Sequence, residues 1–283
     1  MIISIASGKG GTGKTTLAVN LTYALDDNVQ MLDCDVEEPN GHLFLNRDIQ
    51  KEYAVNTMIP LVDQSQCSLC GECADICQFN AIVVAGNSVL TFPKMCHSCG
   101  GCTLICPEKA ISEQKREIGK IRVGSVKQAL FVEGILNIGE AMSPPLIKAV
   151  KTEIKSEKVN IIDAPPGTSC PVVTAMSGSD YVLMVTEPTP FGLHDLKLAV
   201  EAAEKLNIPC GLVINRSDLG DDQVKKYAEE KGLPVLLEIP YLREIAEIYS
   251  RGELFAKILP EWREKLLDMF SKIEQNIQGG YLI

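Results

Sequence analysis

Eight of the chain's 11 cysteines lie between Cys67 and Cys106, in two copies of one spacing. The first run is Cys67-x-x-Cys70-x-x-Cys73-x-x-x-Cys77. The second is Cys96-x-x-Cys99-x-x-Cys102-x-x-x-Cys106, followed at once by Pro107. Structural zinc usually takes two Cys-x-x-Cys pairs, not a third ligand three residues on and a fourth four residues later. A disulfide framework belongs to oxidising compartments. Here the apolar stretch Met1 to Ala6 is too short for a signal peptide and leads straight into a glycine loop, so a reducing cytoplasm is expected. Two complete sets of four thiolates point instead to iron–sulfur chemistry. No cysteine is missing from either run, so His97 is expected to be a loop residue.

The glycine loop is the second chemical feature. Ile2-Ile3-Ser4-Ile5-Ala6 reads as a short buried strand, followed by Gly8-Lys9-Gly10-Gly11-Thr12-Gly13-Lys14-Thr15-Thr16 and a helical run to about Leu25. This strand–loop–helix order is the context of a Walker A loop. The glycines let backbone N–H groups point at phosphate oxygens, and the helix N-terminus adds partial positive charge. Lys14 is expected to reach the β- and γ-phosphates and the Thr15 hydroxyl to bind Mg²⁺.

The cysteine runs resemble those of bacterial two-cluster ferredoxins, in which the fourth cysteine of each run crosses over to the other cluster. That resemblance implies one [4Fe–4S] cluster on Cys67, Cys70, Cys73 and Cys106, and a second on Cys77, Cys96, Cys99 and Cys102. Cys77 is followed by Gln78, where the pattern has proline. The loop form Lys-Gly-Gly-x-Gly-Lys-Thr, beginning at Lys9, resembles the deviant Walker A of the MinD/ParA family, which includes the nitrogenase iron protein and Mrp-type iron–sulfur carriers. It implies that Lys9 contacts phosphate across a dimer interface, with ATP sandwiched between two subunits. Asp33-Cys34-Asp35 resembles switch I. Asp35 is expected to orient or deprotonate the attacking water, and Asp33 to support Mg²⁺ or the loop. Asp163-Ala164-Pro165-Pro166-Gly167-Thr168 looks like Walker B entering switch II, implying that Asp163 holds Mg²⁺ through water and that the Gly167 N–H senses the γ-phosphate. Asn215, ending the run Gly211–Ile214, matches the family's adenine-contacting asparagine.

These residues need a scaffold. Apolar runs at 159–162, 181–185, 211–214 and 235–239 alternate with helical stretches near 143–156, 191–206, 221–231 and 241–250, which indicates an α/β fold with a parallel sheet covered on both faces. Because Walker A and switch I precede the cysteines while switch II follows them, the layout is a P-loop ATPase domain at 1–60 and 115–283, interrupted by a small α+β ferredoxin-type domain at 61–114. Val83-Val84 and Val89-Leu90, flanking Gly86-Asn87, suggest a hairpin in that insert. The segment from Glu133 to Pro145 also looks like ATPases of this layout and is expected to lead from a strand into a helix.

Of the remaining cysteines, Cys34 and Cys210 read as packing residues. Cys170 is expected to be a buried thiol, although the nitrogenase iron protein carries a cluster ligand downstream of switch II. His42 and His194 read as structural. Residues 261–276 place Trp262, Leu266, Leu267, Phe270 and Ile273 on one side, a helix docked on the sheet rather than a membrane grip, since its polar face is not basic.

Composition narrows the function. A formal net charge of −10 over 283 residues argues against a nucleic-acid surface, and no apolar run approaches bilayer length. The expected protein is a cytoplasmic, dimeric ATPase using ATP/ADP, Mg²⁺ and two [4Fe–4S] clusters, whose nucleotide state controls electron delivery to a redox partner. Iron–sulfur or metallocofactor assembly is the alternative, with a cofactor-assembly protein as partner. A positioning role like that of MinD is the lesser one.

Overall fold

The computed structural model describes residues 1–45, 48–126 and 129–279. Its centre is built by short apolar segments buried on both faces. In β1 (Ile2–Ala6), Ile3 and Ile5 face one layer while Ala6 faces the other. A residue period of two lets one strand serve two cores. The P-loop then turns into α1 (Lys14–Leu25), and β2 (Val29–Asp33) returns beneath it. After β2 the chain leaves the sheet centre and forms β3 (Asp48–Val62), one arm of a long ribbon.

The cysteine-rich region follows. It comprises α2 (Glu72–Asp75), the hairpin β4 (Ile82–Ala85) and β5 (Ser88–Thr91), and α3 (Gly101–Ile105). The hairpin expected around Gly86-Asn87 is present, with Val83 opposite Leu90 and Gly86 in the left-handed region at φ 61. Then β6 (Ile111–Val126) runs back antiparallel to β3, and β7 (Ala129–Leu136) re-enters the sheet. The rest alternates: α4 (Pro144–Lys151), β8 (Val159–Asp163), α5 (Cys170–Met176), β9 (Tyr181–Thr186), α6 (Pro190–Lys205), β10 (Cys210–Asn215), α7 (Gln223–Lys231), β11 (Val235–Ile239), α8 (Arg243–Ser250), α9 (Phe255–Ile258) and α10 (Pro260–Gln278).

The sheet order is β11-β10-β9-β1-β8-β2-β7-β6-β3. From β11 to β7 all neighbours are parallel, as expected, but β6 and β3 add two antiparallel strands at one edge, which the expected all-parallel sheet lacks. Only Gly119–Val126 of β6 pairs with β7, so the stretch 111–118 with its β3 partners projects beyond the sheet. At its tip Ile111 joins Cys73, Ile82 and Val89 in a small separate core, whereas Ile118 and Ile121 belong to the main core. The expected boundaries at 60/61 and 114/115 therefore fall inside this ribbon.

Three smaller expectations change. The helix expected over 143–156 ends at Lys151. In α10, which packs on α1 and β11, Trp262, Leu266, Phe270 and Ile273 are buried, but Leu267 is exposed and Met269 takes its place in the core. Cys170 is exposed at the first turn of α5 rather than buried, while Cys34 and Cys210 are buried. Among the described residues, no helix is long and apolar enough to cross a membrane.

Candidate functional site

Gly13, at φ 96, breaks the backbone into α1 without any side chain capping the helix. The first N–H groups of this 12-residue helix therefore lack a side-chain acceptor and face an open cavity, an arrangement suited to an anion. By contrast α6 is capped from within, where Thr189 accepts from the Gly192 N–H at 3.0 Å. A Cβ on residue 13 would also lie 2.7 Å from Asn215 Nδ2, so the turn and the end of β10 need glycine there. The cavity is about 400 Å³, and Gly10, Gly11, Gly13, Lys14, Thr15, Thr16, Asp35 and Asn215 line it. Burial lowers the Lys14 ammonium pKa from its usual range, against the pull of Asp163 and Asp35.

Thr15 Oγ1 donates to Asp163 Oδ2 at 2.5 Å, which brings together the two side chains expected beside Mg²⁺. Asp33 is fully buried, and its carboxylate accepts the N–H groups of Asp35 and Gly41, at 3.2 and 3.0 Å. It shapes the loop that carries Asp35. Lys9 pairs with Glu187 at 3.0 Å, and Arg216 reaches the other Glu187 oxygen at 2.9 Å. The Gly167 N–H donates to Ser7 O at 3.1 Å, and Asn215 Nδ2 donates to Thr12 O at 2.9 Å.

Three carboxylates share this end of the sheet. Burial raises Asp163 to about 7 and Asp35 to about 6, and it holds Asp33 well above the usual range, helped by Asp163 opposite it on β8. A buried carboxyl that keeps its proton when the unfolded chain has lost it makes stability fall as pH rises. The nucleotide-free protein is thus expected to lose thermal stability as pH rises from about 4 to about 7, less so as Asp163→Asn. Melting curves across that window check this; a midpoint climbing with pH contradicts it.

The cysteines fall into two groups at the ribbon tip. Cys67, Cys70, Cys73 and Cys106 line one cavity; Cys77, Cys96, Cys99 and Cys102 line the other. Each cavity thus takes three cysteines from one run and the last from the other. The backbone repeats as well: Leu69, Gly71 and Asn80 have positive φ, and so do Ser98, Gly100 and Lys109, each 29 positions later. Among the described residues no group of three or more ligating side chains is arranged to hold a single metal ion. Four thiols distributed round a cavity suit a polynuclear cluster, in which each iron takes one thiolate. His97 stacks on Phe79 at 3.5 Å, a packing role.

Sequence reasoning missed the far wall of the nucleotide-sized cavity, where Arg216, Pro240, Tyr241 and Leu242 follow the ends of β10 and β11. Their only signal was position after an apolar strand.

Comparison with known proteins gives a family and a fold. The model of the CobQ/CobB/MinD/ParA nucleotide binding domain matches residues 3–255. An uncharacterised protein of Methanocaldococcus jannaschii is 32% identical over 91% of this chain and 92% of its own length. The iron–sulfur cluster carrier protein of Pyrococcus abyssi is 25% identical over 96% of this chain and 87% of its own. Among solved structures, the septum site-determining protein MinD of Pyrococcus horikoshii, complexed with Mg-ADP, superposes with a TM-score of 0.60 at 20% identity, covering 96% of this chain and 95% of that one.

Proposed function

The chain belongs to the CobQ/CobB/MinD/ParA nucleotide-binding family, and from that premise we propose an ATPase whose nucleotide state controls a module holding two [4Fe–4S] clusters. The observation that carries this reading is the division of eight cysteines between two cavities, in the sets that a ferredoxin crossover requires. The clusters, when bound, would supply one-electron chemistry.

The chain's own residues divide the work. The uncapped N–H groups of α1 and the Lys14 ammonium would take the β- and γ-phosphates, and Thr15 with Asp163 would hold Mg²⁺. Asp35, on the cavity wall, would orient the attacking water and accept its proton. Asn215 and the wall from Pro240 to Leu242 would receive the adenine. Lys9 must leave Glu187 to reach a nucleotide held by a second subunit. Its side chain is 31% exposed, and Arg216 stays on the 10% exposed Glu187 when it leaves, so the move does not strand a buried carboxylate without a partner. Gly167 must likewise exchange Ser7 O for the γ-phosphate. Both moves favour a homodimer that closes on ATP and opens after hydrolysis.

Electron delivery to a protein partner is the output we favour, because four ligands per cavity imply resident clusters. Cluster carriage is the second reading, favoured by the relatives named as carriers. The two separate when the anaerobic holoprotein is incubated with Mg-ATP and excess apo-ferredoxin. Iron that stays with the chain is the expected result; iron that moves to the acceptor contradicts electron delivery as the output.

A further inference from the structure

The end of β7 and the segment that joins it to α4 touch both functional regions. We propose that residues 133–143 transmit the nucleotide state of the Asp35–Leu43 loop to the cluster cavity of Cys77, Cys96, Cys99 and Cys102. This rests on the functional reading above and names its route.

On the nucleotide side the segment holds the loop at three points. The Leu136 N–H donates to Val36 O at 2.8 Å, and Ser143 Oγ donates to Glu37 Oε1 at 2.9 Å. Glu133, fully buried, meets His42 Nδ1 at 3.1 Å. There is no slack between them: a Cβ on Gly134 would stand 2.6 Å from Val36 Cγ1 and 2.7 Å from Val150 Cγ2. Val36 and Glu37 directly follow Asp35, the residue that must adjust to a γ-phosphate.

On the other side the segment holds the ribbon and the cysteine module. Glu133 meets Arg122 of β6 at 3.5 Å, and the Asn137 N–H donates to Ile118 O at 2.9 Å. Glu140 takes both terminal nitrogens of Arg116, in a pair whose side chains are 3% and 17% exposed. Arg116 stands opposite Thr57 on β3, next to Met58, which lines the cavity of Cys77, Cys96, Cys99 and Cys102. Lys94, in the turn just before Cys96, lies against Gly139, with Nζ 3.3 Å from where a Cβ would be. Asn137, Ile138 and Gly139 are exposed, so a displacement passes along these named hydrogen bonds and ion pairs rather than through a packed core. A move of Val36 and Glu37 therefore re-aims Arg116, and a charge beside a cluster tunes its potential.

Linkage makes the effect reciprocal: if ATP binds the reduced and oxidised forms with tenfold different affinity, the cluster potential shifts by about 59 mV. The test is an anaerobic redox titration of the holoprotein by electron paramagnetic resonance, with Mg-ADP or a non-hydrolysable Mg-ATP analogue. Signals are assigned with Cys106→Ser, which perturbs the other cluster. The wild type is expected to show about a tenfold coupling at the cluster of Cys77, Cys96, Cys99 and Cys102. Glu140→Gln and Ser143→Ala, at opposite ends of the route, should keep both clusters and nucleotide affinity while coupling falls to about twofold or less. Tenfold coupling that survives in both variants overturns the route and leaves the function standing. A wild type with both clusters and bound nucleotide but equal potentials overturns the route and the nucleotide control together. A protein without clusters overturns the functional reading itself.

Discussion

Replacing Cys106 by serine should remove the cluster of Cys67, Cys70 and Cys73 while leaving intact the cluster of its own run's neighbours, Cys96, Cys99 and Cys102. The cavities argue this directly, since Cys106 lines the first cavity and not the second. Iron per chain should fall from about eight to about four, because a [4Fe–4S] cluster takes four cysteine thiolates and one is then missing. Cys77→Ser should do the converse. Anaerobic iron analysis with paramagnetic resonance of the reduced protein reads both. If Cys106→Ser lost the cluster of its own run, the crossover and the division into two cavities would be wrong. Serine is close to cysteine in size, so the small core around Cys73, Ile82, Val89 and Ile111 should tolerate either change.

Asp35→Asn should slow ATP hydrolysis by about 10²–10⁴-fold while Mg-ATP still binds, since general-base help is worth that much and the phosphate cradle does not involve this side chain. Lys14→Ala should instead weaken nucleotide binding itself, because a buried ammonium is lost from the cavity wall. The base role also has a pH signature. Burial, opposed by Lys14 and reinforced by Glu37 and Glu38, raises Asp35 to about 6, so the free carboxylate dominates above that pH and the protonated form below it. The kcat/KM for Mg-ATP should therefore fall in two steps as pH drops through about 7 at Asp163 and about 6 at Asp35, and only the lower step should be missing in Asp35→Asn. Unchanged turnover in the variant would remove Asp35 from the chemistry.

Local chemistry made much of this legible from sequence. The phosphate loop and the cysteine runs depend on neighbours within a few residues, so their spacing carries them. The parallel strands announce themselves by apolar runs such as Tyr181–Thr186, buried on both sides. The ribbon did not. Asp48, Gln50, Lys51 and Glu52 on β3 are polar and exposed, with Glu52 opposite Arg122 of β6, and only pairing over a long sequence separation makes them a strand. Likewise nothing near Glu133 in sequence shows that His42 and Arg122 will close on it. The segment from Glu133 to Pro145 is recognisable by form, but its physical reason is visible only in two separate contacts, Ser143 with Glu37 and Glu140 with Arg116. Cys170 misled because a thiol at the start of a helix gives no sign of which way its first turn faces.

The most direct check is native mass spectrometry of protein purified anaerobically and presented with Mg-ATP. Each chain is expected to carry two four-iron clusters and one magnesium nucleotide in the same particle, with nucleotide-loaded chains paired. Chains carrying zinc, a single cluster or no nucleotide would contradict a molecule that joins a phosphate cradle to two iron–sulfur centres.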